Sequence, residues 1–251
     1  MLELGGNNGD FPPSSPSCLE GIPLICYASG LISAAIVMPD ADMSLALPSI
    51  LFSAVGTAGQ RCTSTRRLFL HRSIAPQFLE RLQAAYATIS IGDPLDSSTL
   101  LGPLHTTSAV QLYMDSVKDI RETGGTILCG GTPYIPPSSA LKQGNFVLPV
   151  IALPPTLSEK GSSRTPKEAE TIERIWKEET FAPVLKVALF DELEEAIALN
   201  NEVPQGLSSC LWSNDVRHLG RWIGPEGSDT GIVNVRLLWI FPLISFDRSL
   251  F

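Results

Sequence analysis

The succession of apolar segments after residue 40 constrains the fold more than any other feature of this sequence. Short runs rich in Val, Ile and Leu alternate with longer amphipathic runs, and turn residues separate them. The strand-like runs are 66–71, 126–129, 145–152, 184–190, 206–213 and 231–235, and the helix-like runs are 40–59, 73–89, 108–122, 192–200 and 216–223. Strands that alternate with helices predict a mainly parallel sheet with right-handed crossovers. We therefore predict an α/β fold, in which helices flank this sheet.

The composition limits the classes of function. With 251 residues, 44% of them hydrophobic and 18% charged, the chain can build one good-sized core. Its net charge of −8 and the lack of a basic stripe argue against nucleic acid as a partner. The five cysteines are an odd number and form no CxxC and no His/Cys cluster, so we predict neither a disulfide framework nor a metal site. A reducing compartment fits this cysteine usage.

The segment 21–38 is the candidate for a membrane span. It is uncharged, mostly apolar and just long enough to cross a bilayer. Gly21, Pro23 and Gly30 interrupt it, and it has no basic flank. The N-terminus has no basic region typical of a signal peptide. We predict a cytoplasmic protein without membrane association, and a mitochondrial location stays open because the natural N-terminus could lie upstream.

Cys62 lies at the corner between a helix-like and a strand-like run, in Gly59–Ser64. A cysteine in such a corner can face backbone N–H groups, and Arg61 precedes it. Both features favour the thiolate, which is the nucleophilic form. The alternative is that Cys62 is a small buried hydrophobic residue, as most single cysteines are.

Two further motifs accompany this cysteine. Glu3–Gly6 (Glu-Leu-Gly-Gly) precedes it, and Glu179–Pro183 (Glu-Thr-Phe-Ala-Pro) follows far downstream. In this order, the motifs resemble those of the NAD(P)-dependent aldehyde dehydrogenase superfamily. Longer runs resemble its antiquitin branch, the α-aminoadipic semialdehyde dehydrogenases; they are 57–63, 179–183, 200–209 and 227–229.

The resemblance implies a chemistry for two residues. Cys62 matches the nucleophile, whose thiolate attacks the aldehyde carbon to give a thiohemiacetal. Loss of hydride to the nicotinamide then leaves a thioester. Glu3 matches the carboxylate that activates the water for hydrolysis of this thioester. The backbone N–H of Cys62 is expected to contribute to the oxyanion site. From its local sequence alone, Glu3 would be interpreted as a solvated N-terminal acid.

The resemblance also implies a cofactor site. Glu179 matches the residue that binds the nicotinamide ribose, and Phe181 matches the one that packs near the nicotinamide. Leu4 and Gly5 match backbone positions in the same site. NAD is the expected cofactor, and NADP stays open. Without the resemblance, Glu179 would be interpreted as a solvated acid and Phe181 as a core residue.

Arg61 and Thr63 are assigned to substrate binding. A guanidinium beside the nucleophile favours an aldehyde that carries a carboxylate, because the two groups can pair in a bidentate manner. We therefore expect a small acidic semialdehyde as the substrate. The alternative is that Arg61 pairs with a surface acid of the protein.

Parts of the chain depart from the family pattern. We predict that 1–8 is the remnant end of a coenzyme-binding domain, 9–35 an anomalous insertion from intron read-through, 36–235 the catalytic domain and 236–251 a tail outside the family pattern. A functional insertion at 9–35 is the alternative. The stretch 153–173 is also longer than expected.

No Rossmann-like coenzyme domain and no G-x-G-x-x-G motif is found in the sequence. The alternative function is therefore an inactive fragment or pseudoenzyme that at most binds full-length paralogues. A homo-oligomer is expected for the full-length family and is doubtful for this chain.

Overall fold

Seven strands form one sheet in the computed structural model, which describes residues 33–156, 165–204 and 206–235. The strands are β1 (Ser33–Val37), β2 (Thr65–His71), β3 (Thr126–Cys129), β4 (Val150–Leu153), β5 (Val184–Phe190), β6 (Ser208–Trp212) and β7 (Ile232–Val235). Their order is β3-β4-β5-β2-β1-β6-β7, and every neighbouring pair is parallel except β3 and β4. The predicted mainly parallel α/β fold is confirmed.

Helices cover both faces of the sheet. They are α1 (Met43–Val55), α2 (Ala75–Ala87), α3 (Thr107–Glu122), α4 (Pro166–Lys177), α5 (Leu193–Asn201) and α6 (Val216–Ile223). Helices α1, α2 and α3 pack on one face, and α5 and α6 pack on the other. A hydrophobic core lies on each face of the sheet, and strand β2 contributes to both. Leu68 and Leu70 belong to the core under α1, α2 and α3, and Phe69 belongs to the core under α5 and α6.

Helix α1 leads from β1 toward Cys62. Its N-cap is Asp42, whose carboxylate accepts a hydrogen bond from Ser44 N at 2.9 Å. The nearby Asp40 does not cap this helix; its carboxylate accepts hydrogen bonds from Ser213 Oγ and Asn214 N instead. The predicted helix 40–59 is split, since α1 ends at Val55 and a 3-10 turn follows at Gly56–Gly59.

Helix α4 was not among the predicted helices, and 153–173 was predicted only to be longer than expected for the family. A capping box starts the helix: Thr165 accepts from Glu168 N, and Glu168 accepts from Thr165 N. Ile172 and Ile175 are buried, and the Trp176 indole donates to Pro155 O at 2.9 Å. The Thr-Pro-Lys-Glu sequence before the apolar positions was the available signal.

Strand β1 spans Ser33–Val37 and so includes three residues, Ser33 to Ala35, that the prediction assigned to the insertion. All five residues of β1 are buried, and the strand pairs with β2 on one side and β6 on the other. A central strand needs this length to pair with two neighbours. Three residues assigned to the insertion, Ser33 to Ala35, therefore belong to the sheet. The remaining domain division stays a prediction.

Residues 33–38 of the apolar segment 21–38 form β1 and the residue after it. Residues 21–32 lie outside the described part of the chain, as do the predicted remnant 1–8 and the tail 236–251. Within the described ranges, the helices are too short or too polar to cross a bilayer.

Candidate functional site

Cys62 lies in a tight turn at the amino end of β2. The turn, Arg61–Ser64, is closed by Ser64 N, which donates to Arg61 O at 3.0 Å, while Arg61 N donates to Ser64 Oγ at 3.2 Å. Cys62 and Thr63 are each half-buried. The turn therefore holds the thiol at the surface of the core, within reach of a ligand. We call Arg61–Ser64 the Cys62 turn.

The backbone that leads into the Cys62 turn is left-handed at three successive residues. Thr57 and Ala58 both have φ of 53°, and Gly59 has φ of 67°. This conformation is costly for a β-branched residue such as Thr57. Such local strain persists only where the surrounding structure imposes it. It therefore marks the approach to Cys62 as a constrained segment.

Gln60 attaches this segment to the loop that precedes α3. Its Oε1 accepts a hydrogen bond from His105 N at 2.9 Å, and its Nε2 donates to Pro103 O at 3.2 Å. The ring of His105 also contacts Gln60 Oε1, at 2.9 Å from Nδ1. Through these contacts, His105 helps to hold Gln60 in place.

The structure brings the Cys62 turn against the segment Glu179–Pro183. Strands β2 and β5 pair in parallel, so the segments that precede them meet at the same edge of the sheet. Contact is tight at Gly59, where an added β-carbon would lie 2.6 Å from the carbonyl of Ala182. Two motifs that are about 120 residues apart in sequence thus form one site.

Arg66 and Glu179 form a buried ion pair across this contact. Arg66 Nε and Nη2 both donate to Glu179 Oε1, at 3.0 and 2.8 Å, and the side chains are only 1% and 7% exposed. Burial lowers the pKa of Arg66, and the charge of Glu179 opposes this shift. Glu179 is therefore not the solvated acid of the alternative interpretation.

Phe181 lies partly exposed beside this pair. Its φ of 48° is left-handed, and its ring centroid lies 5.4 Å from Arg66 Cζ. Phe181 is thus not a core residue, in contrast to the alternative interpretation. Arg66 was not among the site residues predicted from the sequence. The available signal was an Arg-Arg pair, 66–67, at the start of an otherwise apolar strand.

The Arg61 guanidinium turns back toward the end of α1. Its Nη2 donates to Phe52 O at 3.1 Å, and its Cζ lies 5.0 Å from the centroid of the Phe52 ring. Among the described residues, no carboxylate lies within 4 Å of it, so the alternative of a surface ion pair is not found there. Arg61 and Thr63 line one small cavity together with the hydroxyls of Ser49 and Ser53.

Positive charge surrounds Cys62. Burial lowers the pKa of Arg61 and of Arg66, and a negative Cys62 thiolate would oppose both shifts. The other described cysteines differ, because burial raises the pKa of Cys129 and raises that of Cys210 to about 12. Cys62 is thus the described cysteine that lies beside two arginines, Arg61 and Arg66.

Lys186 holds the end of α4 just before Glu179. Its ammonium is fully buried and donates to Ile175 O and to Glu178 O, the latter at 3.0 Å. Burial lowers the pKa of Lys186 to about 7, and the charges of Arg66 and Arg67 add to this effect. Three predicted site residues, Glu3, Leu4 and Gly5, lie outside the described residues.

The sheet and the site define an α/β protein with a thiol at the amino end of a central strand, held against an acidic loop. The chain belongs to the aldehyde dehydrogenase family, whose sequence profile matches residues 25–236. It is 48% identical over 205 residues to aldehyde dehydrogenase family 7 member A1 of Pisum sativum, and 42% identical over 237 residues to α-aminoadipic semialdehyde dehydrogenase of Bos taurus. These matches cover 82% and 94% of the chain but only 36% of each relative.

Solved structures show the same similarity. Lactaldehyde dehydrogenase of Escherichia coli is 29% identical and has a TM-score of 0.69, with 82% of this chain and 39% of that one covered. A betaine aldehyde dehydrogenase variant of Staphylococcus aureus, in complex with NAD+ and with a BME-modified cysteine, is 26% identical with a TM-score of 0.70. That match covers 85% of this chain and 40% of the other. The chain thus spans well under half the length of these proteins.

Proposed function

We propose that this chain carries the nucleophile and part of the cofactor site of an NAD-dependent dehydrogenase that oxidises an acidic semialdehyde to the carboxylic acid. The observation that supports the proposal most is the contact between the Cys62 turn and the segment Glu179–Pro183. The thiol of Cys62 and the predicted cofactor-binding residues Glu179 and Phe181 then lie at the same edge of the sheet.

In this proposal, Cys62 reacts as a thiolate. Its sulfur bonds to the aldehyde carbon, and the carbonyl oxygen becomes an oxyanion. None of the described residues accepts a hydrogen bond from the Cys62 backbone N–H, which can therefore donate to this oxyanion. Collapse of the thiohemiacetal expels a hydride and leaves a thioester on Cys62. Glu3 then takes a proton from the attacking water, and hydrolysis returns the thiolate and the acid.

NAD, when bound, supplies the acceptor for the hydride. The residues present fit such a group, because the carboxylate of Glu179 can accept hydrogen bonds from ribose hydroxyls. The partly exposed ring of Phe181 offers an apolar surface to a planar ring. The NAD+ complex of the Staphylococcus aureus relative supports this cofactor.

The proposed substrate is a semialdehyde with a carboxylate, such as α-aminoadipic semialdehyde. The name of the Bos taurus relative supports this class. Arg61 supports it independently, because its charge lies next to the nucleophile and is not neutralised by a described carboxylate. Thr63 contributes a hydroxyl to the same cavity.

The cofactor-independent part of the chemistry can be tested on residues 1–251. A Cys62 thiolate should hydrolyse an activated ester such as p-nitrophenyl acetate, and Cys62→Ala should abolish this activity. Cys129→Ala is the matched control and should retain it, because burial raises the pKa of that thiol and it lies outside the cavity that Arg61 and Thr63 line. Equal activity in Cys62→Ala and the unmodified chain would refute the assignment of the nucleophile.

The oxidation itself can be tested in a completed protein, in which residues 33–235, from the start of β1, replace the matching region of the Bos taurus relative. Cys62→Ala should abolish NADH formation. Glu3→Gln, made at the matching position, should give a burst of NADH followed by accumulation of the thioester, because an amide cannot take the proton from water. Arg61→Ala should raise the KM for an acidic semialdehyde, by about 1.5–3 kcal/mol in binding, and should affect a neutral aldehyde much less.

The second candidate is a non-catalytic fragment that binds full-length relatives. This chain spans 36% of the length of each of these two curated relatives. In that case, residues 1–251 should form a complex with a full-length relative in size-exclusion chromatography and should show no ester hydrolysis. Ester hydrolysis that depends on Cys62 would contradict this alternative.

A further inference from the structure

We propose that Arg66 is a positioning residue, which joins the Cys62 turn to the segment Glu179–Pro183 and keeps a positive charge beside the nucleophile. This inference rests on the proposed function, because it concerns how the thiol and the cofactor segment are held together. It assigns a role to a residue that does not itself touch the substrate.

The hydrogen bonds of Arg66 connect the two segments. On one side, Nη2 donates at 3.2 Å to Arg61 O, the carbonyl of the peptide bond just before Cys62. On the other side, Nη1 donates to Ala182 O at 2.9 Å, and Nε and Nη2 donate to Glu179. One guanidinium thus hydrogen-bonds the backbone just before Cys62, the backbone of Ala182 and the carboxylate of Glu179.

This arrangement needs an arginine. All three guanidinium nitrogens donate in one plane, and the face of that plane lies over the Phe181 ring at 5.4 Å. A lysine would place its charge nearby but could not present donors in several fixed directions. Substitution of Arg66 by lysine should therefore keep the charge and remove the hydrogen-bond geometry, so that the two roles can be tested separately.

The arrangement also accounts for the strained backbone of Phe181. A left-handed φ is costly for a residue with a side chain and persists only where contacts enforce it. Arg66 holds Glu179 and Ala182, which lie on either side of Phe181, and covers its ring. Loss of this contact should release the segment 179–183.

The charge of Arg66 lies near Cys62, because Nη2 donates to the carbonyl of the residue just before it. Arg66 is 1% exposed, so solvent screens its field weakly. Removal of this charge should disfavour the thiolate. Removal of the negative charge of Glu179 should have the opposite effect. These opposite signs distinguish an electrostatic role from a merely structural one.

The test uses the full chain 1–251 and follows the alkylation of Cys62 by iodoacetamide at several pH values, with peptide-resolved mass spectrometry. In Arg66→Met, the pH of half-maximal alkylation should rise, and the rate at pH 7 should fall by about 3–10-fold. In Glu179→Gln, this pH should fall. In Arg66→Lys, the pH profile should resemble that of the unmodified chain, because the charge is retained.

Hydrogen exchange of the amides in 179–182 tests the geometric role. Exchange should accelerate in both Arg66→Met and Arg66→Lys, because neither side chain can make the four hydrogen bonds. The matched control is Arg72→Met, which removes an exposed arginine paired with Asp191 just after β2. It should change neither the alkylation profile nor the exchange.

Two sets of results would overturn this proposal. Unchanged alkylation profiles in Arg66→Met and Glu179→Gln, or shifts of the same sign in both, would overturn the electrostatic role. Unchanged exchange in Arg66→Lys would overturn the geometric role. If Arg66→Met does not unfold cooperatively, Glu179→Gln and Arg66→Lys carry the test alone. Neither readout needs aldehyde oxidation, so failure of the proposed function would leave these results interpretable.

Discussion

Because of the tight contact at Gly59, a single added methyl group should lower the free energy of unfolding by a measurable amount. Gly59 lies where the chain approaching Cys62 meets the backbone of Ala182. In Gly59→Ala, the new β-carbon would lie 2.6 Å from the Ala182 carbonyl and 2.8 Å from Pro183 N. Both partners are backbone atoms, so relief requires one segment to move away from the other.

The cost has two parts. A residue with a β-carbon at a φ of 67° loses about 1–2 kcal/mol relative to glycine. Insertion of a carbon into this tight contact adds about 1–3 kcal/mol. The free energy of unfolding should therefore fall by about 2–5 kcal/mol, which is a large part of the 5–15 kcal/mol that is typical of a domain.

Gly124 provides the matched control. It also has a left-handed φ, of 85°, but an added β-carbon would meet no atom within 4 Å. Gly124→Ala should therefore cost only the conformational part, about 1–2 kcal/mol. The difference between the two variants, about 1–3 kcal/mol, isolates the contact between the two segments.

Urea unfolding followed by tryptophan fluorescence measures both costs, and alkylation of Cys62 reports on the turn. With an m-value of about 2 kcal/mol/M, the Gly59→Ala midpoint should lie about 0.5–1.5 M below that of Gly124→Ala. Only Gly59→Ala should alter the alkylation rate. Equal midpoints and equal alkylation rates in the two variants would refute the close approach on which the proposed site depends.

Two further predictions concern ionisable groups. Because burial lowers the pKa of Lys186 to about 7, between pH 7 and 9 the folded chain loses a proton that the unfolded chain keeps, so its stability rises with pH. Relative to Lys186→Met, the free energy of unfolding should therefore increase by about 2 kcal/mol from pH 7 to pH 9, and urea titrations that show no such increase would contradict this account. Among the described cysteines, Cys62 alone should be alkylated rapidly at pH 8, because burial raises the pKa of Cys129 and of Cys210. Rapid native-state labelling of Cys210, detected by peptide mass spectrometry, would count against that burial.

The sequence by itself determined the class of fold and most element positions. Strands β3 and β5 and helix α6 have the predicted bounds, because alternation of apolar residues and turn-forming residues are local signals. The order of motifs around Cys62 and Glu179 was also sufficient to indicate the family, which the sequence profile and the relatives confirm.

Tertiary structure alone decided how the site is assembled. Arg66 and Glu179 are 113 positions apart, and they meet because β5 pairs with β2 in parallel. The local apolar pattern does not specify which strands are neighbours. The left-handed backbone at Phe181 and at Thr57 is likewise imposed by contacts that no local propensity favours. Local periodicity encodes the elements, whereas the chemistry at their ends depends on strand order, which is set by packing of the whole sheet.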